Sequence, residues 1–129
     1  MADILIVDDH AVVRGLIRQV LEHEPDLKVA GEAATAAEAL RLLPTHSWHA
    51  VVLDISLPDQ SGLEVLRVIR RDFADVPVLI LSMQSAEESA PYARQLGAAG
   101  YLMKEHAPDE LLVAVRALLS GATYFKFPS

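Results

Sequence analysis

The stretch "VVLDISLPDQSG", residues 51 to 62, begins as a continuous apolar segment and changes into a turn at Asp54. A run of β-branched and aliphatic residues is typical of a strand that is buried on both faces of a sheet. The proline, aspartate, serine and glycine that follow are typical of a turn. A carboxylate is costly to bury unless another group pairs with it. The stretch therefore predicts a buried strand that ends at a polar site, whose other members lie elsewhere in the chain.

Length, composition and charge limit what this chain does. Its 129 residues fit one domain, and the absence of cysteine excludes disulfides, thiolate zinc sites and cysteine nucleophiles. Eighteen acidic residues against eleven basic ones give a net charge of −7, which argues against binding of a nucleic acid by this domain itself. In the N-terminal "MADILIVDDH" the uninterrupted apolar stretch is only four residues long and is followed by two aspartates, so this segment predicts neither a signal peptide nor a membrane span. We expect a soluble, cytoplasmic domain that does not bind membranes.

Strand-like and helix-like segments alternate along the chain. The apolar runs that predict five strands lie at 4–7, 27–31, 50–54, 78–81 and 100–103. The segments with helical periodicity between and after them lie at 13–21, 35–43, 61–73 and 111–119. Thr35 is the expected N-cap of the second helix, with Glu38 at the capping-box position. The pattern predicts an α/β protein: a flavodoxin-like (βα)5 doubly wound parallel sheet of five strands in the order 2-1-3-4-5, with helices on both faces.

A further helical segment, residues 85–97, lies between the fourth and fifth predicted strands and has the weakest signal. Pro91 stands where a helix starting after Ser85 needs a backbone donor. We therefore expect this helix either to start late, near Ser89, or to be kinked. Its apolar face consists essentially of Ala93 and Leu96, so its position should be easy to shift.

Polar residues stand at the ends of four predicted strands. Asp8 and Asp9 follow strand one, Asp54 ends strand three, Ser82 follows strand four and Lys104 follows strand five. Doubly wound sheets place their sites at this edge. Three carboxylates and one lysine leave a formal charge of −2, which a bound Mg²⁺ would neutralise. A carboxylate can also act as a nucleophile toward phosphorus, so the cluster favours phosphoryl chemistry.

Four motifs, in this order and at these intervals, resemble the receiver domain of bacterial two-component response regulators. They are "LIVDDH", "VVLDISLPDQSGLEVLRVIR", "VLILSM" and "GAAGYLMKE". The resemblance covers residues 3 to about 121, almost the whole chain. The segments "DDHAVVRGL" and "LLVAVRALLSGATYF" are most similar to the NarL/FixJ subfamily, in which a LuxR-type helix-turn-helix output domain follows the receiver.

The resemblance implies a role for each residue of the predicted site. Asp54 would be the phosphoacceptor, Lys104 the partner of the phosphoryl group and Ser82 the switch hydroxyl. Tyr101 would be the aromatic residue that changes rotamer on activation. The Mg²⁺ ligands would be Asp9, Asp8 through water, Asp54 and the backbone carbonyl of Ser56.

The resemblance also implies a domain plan and partners. Residues 1–121 would form the receiver, with Gly121 as a helix stop, and residues 122–129 would begin an interdomain linker. The DNA-binding output domain is not part of this sequence. A sensor histidine kinase would donate the phosphoryl group, and phosphorylation would promote a homodimer that controls transcription. The chain would not be a dedicated enzyme, and its five histidines are expected to be solvated surface residues.

Other functions remain open at this stage. The first alternative is a receiver-like adaptor that works without phosphorylation. The second is a Mg²⁺-dependent phosphohydrolase with an aspartyl nucleophile, but haloacid-dehalogenase-like enzymes need a second aspartate where this chain has Ser56. The third is a flavin-binding module, which would need a Ser/Thr/Gly-rich phosphate loop in place of the acidic "DDH".

Overall fold

Six strands form one parallel sheet. The computed structural model describes residues 1–125, apart from the side chains of residues 86–88. The strands are β1 Ala2–Val7, β2 Leu27–Ala33, β3 Ala50–Asp54, β4 Val78–Ser82, β5 Gly100–Met103 and β6 Tyr124–Phe125. Their order is β2-β1-β3-β4-β5-β6, and every neighbouring pair is parallel. The predicted flavodoxin-like order of the first five strands is confirmed.

Helices cover both faces of this sheet, as the sequence predicts. They are α1 Ala11–Glu22, α2 Ala36–Leu42, α3 Gly62–Asp72, α4 Ala86–Gln95 and α5 Ala107–Leu119. Side chains alternate along each strand, so Leu5 and Val7 pack with α2, α3 and α4, whereas Ile4 and Ile6 pack with α1 and α5. Within residues 1–125, no helix is both long and apolar enough to cross a membrane.

The starts of α2 and α3 follow from their capping residues. The Thr35 hydroxyl accepts a hydrogen bond from the N–H of Glu38 at 3.1 Å, as predicted. The Glu38 carboxylate reaches back to accept from the N–H of Ala34 at 3.3 Å. The Ser61 hydroxyl accepts from the N–H of Leu63 at 3.1 Å. These bonds satisfy donors that the first turn of a helix otherwise leaves unpaired.

Helix α4 is held less firmly than its neighbours. It begins at Ala86, so the predicted late start near Ser89 is wrong and Pro91 lies inside the helix. Proline has no N–H, and one hydrogen bond of the helix is therefore missing. Among its described side chains, only the small Ala90 and Ala93 are buried against the sheet. Little apolar area thus holds α4 in place.

The sixth strand is an addition to the predicted sheet, and it lies within the segment 122–129 that the sequence assigns to a linker. Gly121 has φ +88° and ends α5, as predicted. The N–H of Ala122 donates to the carbonyl of Ala117 at 2.9 Å, and the N–H of Gly121 donates to Leu118 at 3.0 Å. This Schellman pairing turns the chain back toward β5, where Tyr124 and Phe125 pair with the sheet. Residues 126–129 of the predicted linker lie outside the described residues.

Two glycine substitutions should change stability in opposite directions. Gly121→Ala places a Cβ in a left-handed conformation and should lower the free energy of unfolding by about 1 kcal/mol. Gly15 lies exposed inside α1, with nothing within 4 Å of an added Cβ. Gly15→Ala should therefore raise stability by about 0.5–1 kcal/mol. Urea denaturation of both variants measures the difference, and equal effects of the same sign would contradict the assigned geometry of Gly121.

Candidate functional site

The carboxyl ends of β1, β3, β4 and β5 bring the predicted polar residues together. Asp8 follows β1, Asp54 ends β3, Ser82 ends β4 and Lys104 follows β5. Asp8, Asp54 and Ser82 are 0%, 1% and 3% exposed, although all three are polar. Asp9 lies at the rim, with 32% of its side chain exposed. Buried polar groups need partners, and the contacts among these residues show what those partners are.

One ammonium group serves two buried carboxylates. Lys104 Nζ lies 2.9 Å from Asp54 Oδ2 and 3.0 Å from Asp8 Oδ2. The second oxygen of Asp54 accepts a hydrogen bond from the N–H of Ser56 at 3.0 Å. Asp8 Oδ2 is fully buried and has no hydrogen bond of good geometry among the described residues. The site therefore has more negative charge and more acceptor capacity than Lys104 alone can satisfy.

The charge imbalance changes the pKa of both partners. Burial raises the pKa of Asp54 above its ordinary value, and the nearby charge of Asp8 adds to this, against the opposing contacts with Lys104 and Ser56. Burial alone would lower the pKa of Lys104, but its contacts with Asp54 and Asp8 outweigh that effect and raise the pKa. Lys104 is therefore charged at neutral pH, whereas the ionised form of Asp54 carries a net penalty.

His10 belongs to the same cluster, which the sequence did not indicate. Its imidazole is 60% exposed, as expected for a surface histidine. However, Nδ1 lies 3.2 Å from Asp8 Oδ1 and 3.3 Å from both Asp9 Oδ1 and Lys104 Nζ. Its backbone N–H also donates to Asp8 Oδ1 at 2.8 Å. The one feature of the sequence that could have placed His10 in this cluster is its position directly after the acidic pair.

The donor atoms of the cluster fit a hard divalent cation. One ligand atom each from Asp8, Asp9, His10 and Asp54 lies within 4.8 Å of the others. Three of these four are carboxylate oxygens, the ligands that Mg²⁺ prefers. Asp8 Oδ2 shares Lys104 Nζ with Asp54, so added positive charge at the cluster would stabilise both carboxylates. The residues present therefore suit a magnesium ion better than a soft metal.

Ser82 and Tyr101 are joined through the loop that follows β4. The Ser82 hydroxyl accepts a hydrogen bond from the N–H of Gln84 at 3.0 Å. The Tyr101 hydroxyl donates to the carbonyl of Gln84 at 3.1 Å. Tyr101 is only 2% exposed, so its ring is buried in this structure. Gln84, which sequence reasoning did not assign to this group, thus links the two predicted switch residues.

Two contacts fix the loop between β3 and α3. A Cβ at Gly62 would lie 2.0 Å from the carbonyl oxygen of Asp54 and 2.9 Å from Ile55 Cα, so only glycine fits. The Asp59 carboxylate accepts from the N–H groups of Ala36 and Ala37 at 2.9 and 3.0 Å. The first contact holds α3 against the strand end, and the second ties the loop to α2. Sequence reasoning placed Asp59 in a turn and Gly62 where that turn meets the helical segment 61–73, without indicating either contact.

The sequence pattern described as "Response regulator receiver domain" matches residues 4–116, and the chain belongs to this family. The response regulator UvrY of Escherichia coli (strain K12) is 40% identical over 124 residues, which are 96% of this chain and 57% of UvrY. The regulatory protein UhpA of the same strain is 37% identical over 96% of this chain and 62% of UhpA. This chain therefore spans less than two thirds of these relatives.

Solved structures give the same class and a narrower branch within it. A LuxR-family two-component response regulator from Aurantimonas sp. SI85-9A1 has a TM-score of 0.90 and 38% identity, covering 96% of this chain and 89% of that one. The non-phosphorylated receiver domain of RcsB from Escherichia coli also has a TM-score of 0.90, with 27% identity over 98% of both chains. The chain is a receiver domain of the LuxR type, as predicted. Its relatives are regulators and not dedicated enzymes.

Asp54→Asn should stabilise the protein at neutral pH in the absence of divalent cations. The pKa of Asp54 is higher in the folded than in the unfolded protein, so its ionisation weakens the fold as pH rises past the ordinary value. The gain should shrink as pH falls and Asp54 becomes protonated. Denaturant unfolding at neutral and mildly acidic pH tests this. The control Asp72→Asn removes an equal charge whose pKa is lowered by Arg71, and it should give no gain.

Gly62→Ala should disturb the Asp54 end of β3. The added methyl group overlaps the carbonyl of Asp54, so α3 or the strand end must move, at a cost of about 1–3 kcal/mol. Thermal unfolding measures this loss, and the backbone amide shifts of residues 54–56 in NMR spectra measure the displacement. Gly15→Ala is the control for a glycine without close neighbours. Unchanged spectra at the strand end would contradict the close approach.

Proposed function

We propose that this receiver domain accepts a phosphoryl group on Asp54 and that the modification changes its binding surface. One observation supports this above all. Asp54 is a buried carboxylate at the end of β3, with the Lys104 ammonium 2.9 Å from one oxygen. Phosphoryl transfer requires mainly positioning and neutralisation of charge on the phosphoryl oxygens. Lys104 provides positive charge beside a single nucleophile, and the acidic cluster would hold a cation that provides more.

The donor is a phosphohistidine of a sensor kinase. An oxygen of the Asp54 carboxylate attacks phosphorus while the P–N bond breaks, and the bonding pair stays on the imidazole nitrogen. The donor ring, protonated on its other nitrogen, leaves as neutral imidazole. Lys104 Nζ, now in contact with Asp54 Oδ2, becomes the partner of a phosphoryl oxygen. Ser82, at the end of the neighbouring strand, offers its hydroxyl to another oxygen.

Magnesium is the cofactor of this reaction. Asp9, Asp54 and the backbone carbonyl of Ser56 would hold it directly, and Asp8 would hold it through water. The carboxylates of this set lie in the cluster described above, together with His10. When bound, the ion neutralises charge on the phosphoryl oxygens and on the acidic side chains. Its binding would also add positive charge beside Asp8 Oδ2, which shares Lys104 with Asp54.

The phosphoryl group acts as a switch through the β4–α4 loop. Moving the Ser82 hydroxyl toward a phosphoryl oxygen removes the acceptor of the Gln84 N–H. The loop then loses one of the two hydrogen bonds that connect it to Ser82 and Tyr101. A small movement near Asp54 can thus change the surface that includes α4.

The wider role follows from the relatives that continue beyond the length of this chain. Residues 1–121 form the receiver, and the following segment leads to a DNA-binding output domain. RcsB structures, 27% identical to this chain, show dimers bound to DNA and a promoter complex with a phosphomimetic. Phosphorylation of this receiver in the cytoplasm promotes dimerisation and so controls transcription.

Intact-protein mass spectrometry after incubation with acetyl phosphate and Mg²⁺ tests the proposal. The wild-type chain should gain one phosphoryl group, and the gain should be lost in Asp54→Asn or after chelation of the metal. Lys104→Met should slow the reaction at least tenfold, since removing one electrostatic partner of a transferring group costs on the order of 10²-fold or more in rate.

Asp59→Asn is the matched control, because Asp59 lies in the same loop but binds the start of α2 instead of the acidic cluster. It should be phosphorylated like the wild-type chain. A phosphoryl group that persists in Asp54→Asn would assign the acceptor elsewhere. No adduct in the wild-type chain, even at short times, would favour an adaptor that works without phosphorylation.

A further inference from the structure

The short strand β6 contacts both helices that border the β5 edge. The N–H of Tyr124 donates to the carbonyl of Ala99 at 2.9 Å, and Phe125 pairs with Tyr101 in the parallel register. Because side chains alternate along a strand, the two aromatic rings pack on opposite faces of the sheet. One of them contacts α5 and the other α4.

Each of the two aromatic side chains of β6 contacts one identified charged side chain on a helix. The Tyr124 hydroxyl donates to Glu110 Oε1 on α5 at 2.6 Å. On the other face, the guanidinium carbon of Arg94, in the last turn of α4, lies 4.9 Å from the centre of the Phe125 ring. A cation placed over an aromatic ring is attracted by its negative face. Two paired residues make a weak strand, so these side-chain contacts provide most of what keeps β6 docked.

A series of contacts joins this strand to Ser82, at the end of the strand next to that of Asp54. The Ser82 hydroxyl binds the N–H of Gln84, and the Gln84 side chain is hydrogen-bonded to the hydroxyl of Ser89 in α4. Helix α4 carries Arg94 at its other end, over Phe125. The helix between these contacts is the weakly packed one with an internal proline. We expect this helix to move as one element when the hydrogen bond between Ser82 and Gln84 is lost.

We propose that the edge of β5 between α4 and α5 is a docking site for the segment Tyr124–Phe125 and that docking there opposes phosphorylation of Asp54. The inference rests on the proposed function, whose switch it extends to the chain that follows the receiver. Docked β6 fixes Arg94, and therefore α4, in the arrangement in which Ser82 binds Gln84. Phosphorylation draws Ser82 away, α4 shifts, and Phe125 loses its cation.

The coupling must act in both directions. If phosphorylation releases β6, then loss of β6 docking must favour the phosphorylated state by the same factor. The structure therefore predicts that weakening the Phe125 contact increases the extent of phosphorylation at limiting donor. Such couplings are typically about fivefold or more. This reciprocal effect distinguishes a coupled docking site from a strand that merely packs on the edge.

Hydrogen exchange followed by mass spectrometry measures the docking directly. In the wild-type chain, the peptide that contains Tyr124 should exchange about fivefold faster after phosphorylation with acetyl phosphate and Mg²⁺. In Asp54→Asn under the same conditions, its exchange should not change. The intact mass of each sample shows independently whether Asp54 is phosphorylated.

Two substitutions remove the contact between Arg94 and Phe125, one at each residue. Phe125→Ala removes the ring, and Arg94→Gln removes the cation while leaving the segment intact. Each should speed exchange of the β6 peptide before phosphorylation and raise the phosphorylated fraction at limiting donor. The double variant should give little further gain, because both changes remove one interaction. Val113→Ala, on an exposed apolar side chain of α5, is the control and should change neither quantity.

The outcomes separate this inference from the function on which it rests. If the mass shows phosphorylation but the exchange of the β6 peptide stays the same or slows, the docking switch is wrong and the phosphoacceptor stands. If Phe125→Ala and Arg94→Gln speed exchange without raising phosphorylation, the strand docks but is not coupled. If no phosphorylation occurs at all, both the function and the inference fail.

Discussion

The site depends on one ammonium group placed between two buried carboxylates. Lys104 lies about equally far from Asp8 and Asp54, at 3.0 and 2.9 Å. A single positive charge cannot neutralise both, and burial makes the remaining negative charge more costly than it would be in water. The pocket therefore gains free energy from any added cation and from any change that gives Lys104 a better partner. The fit of the site to magnesium follows from this imbalance, and so does the response to a phosphoryl group that we propose.

The sheet is what allows such an unfavourable cluster to exist. Strands β1, β3 and β4 are apolar and almost completely buried, so they bring their polar last residues to one edge without freedom to move apart. Gly62 presses the start of α3 against the carbonyl of Asp54, and Asp59 ties the same loop to α2. The packing of the apolar strands offsets the electrostatic cost at their ends, and the Asp54 carboxylate stays in one position.

The sequence predicted those features that follow from local periodicity and strand order. Polar residues at the ends of apolar parallel strands must meet, so the grouping of Asp8, Asp54, Ser82 and Lys104 was predictable. The features that were missed depend on contacts between distant segments. The ring of His10 reaches Lys104 across the site, and β6 pairs two residues only because Gly121 turns the chain back to β5. Neither contact leaves a periodic pattern in the sequence.

A charge change at Asp54 can be transmitted only through elements that are able to move. The strands that carry Asp8, Asp54 and Ser82 are buried on both faces, and shifting them would break the core. Helix α4, with small buried residues and an internal proline, costs much less to displace. Through Gln84 it is connected to Ser82, and through Arg94 to Phe125. In the proposed switch, the contrast between a rigid sheet and one loosely packed helix makes α4 the element through which the signal would leave the site.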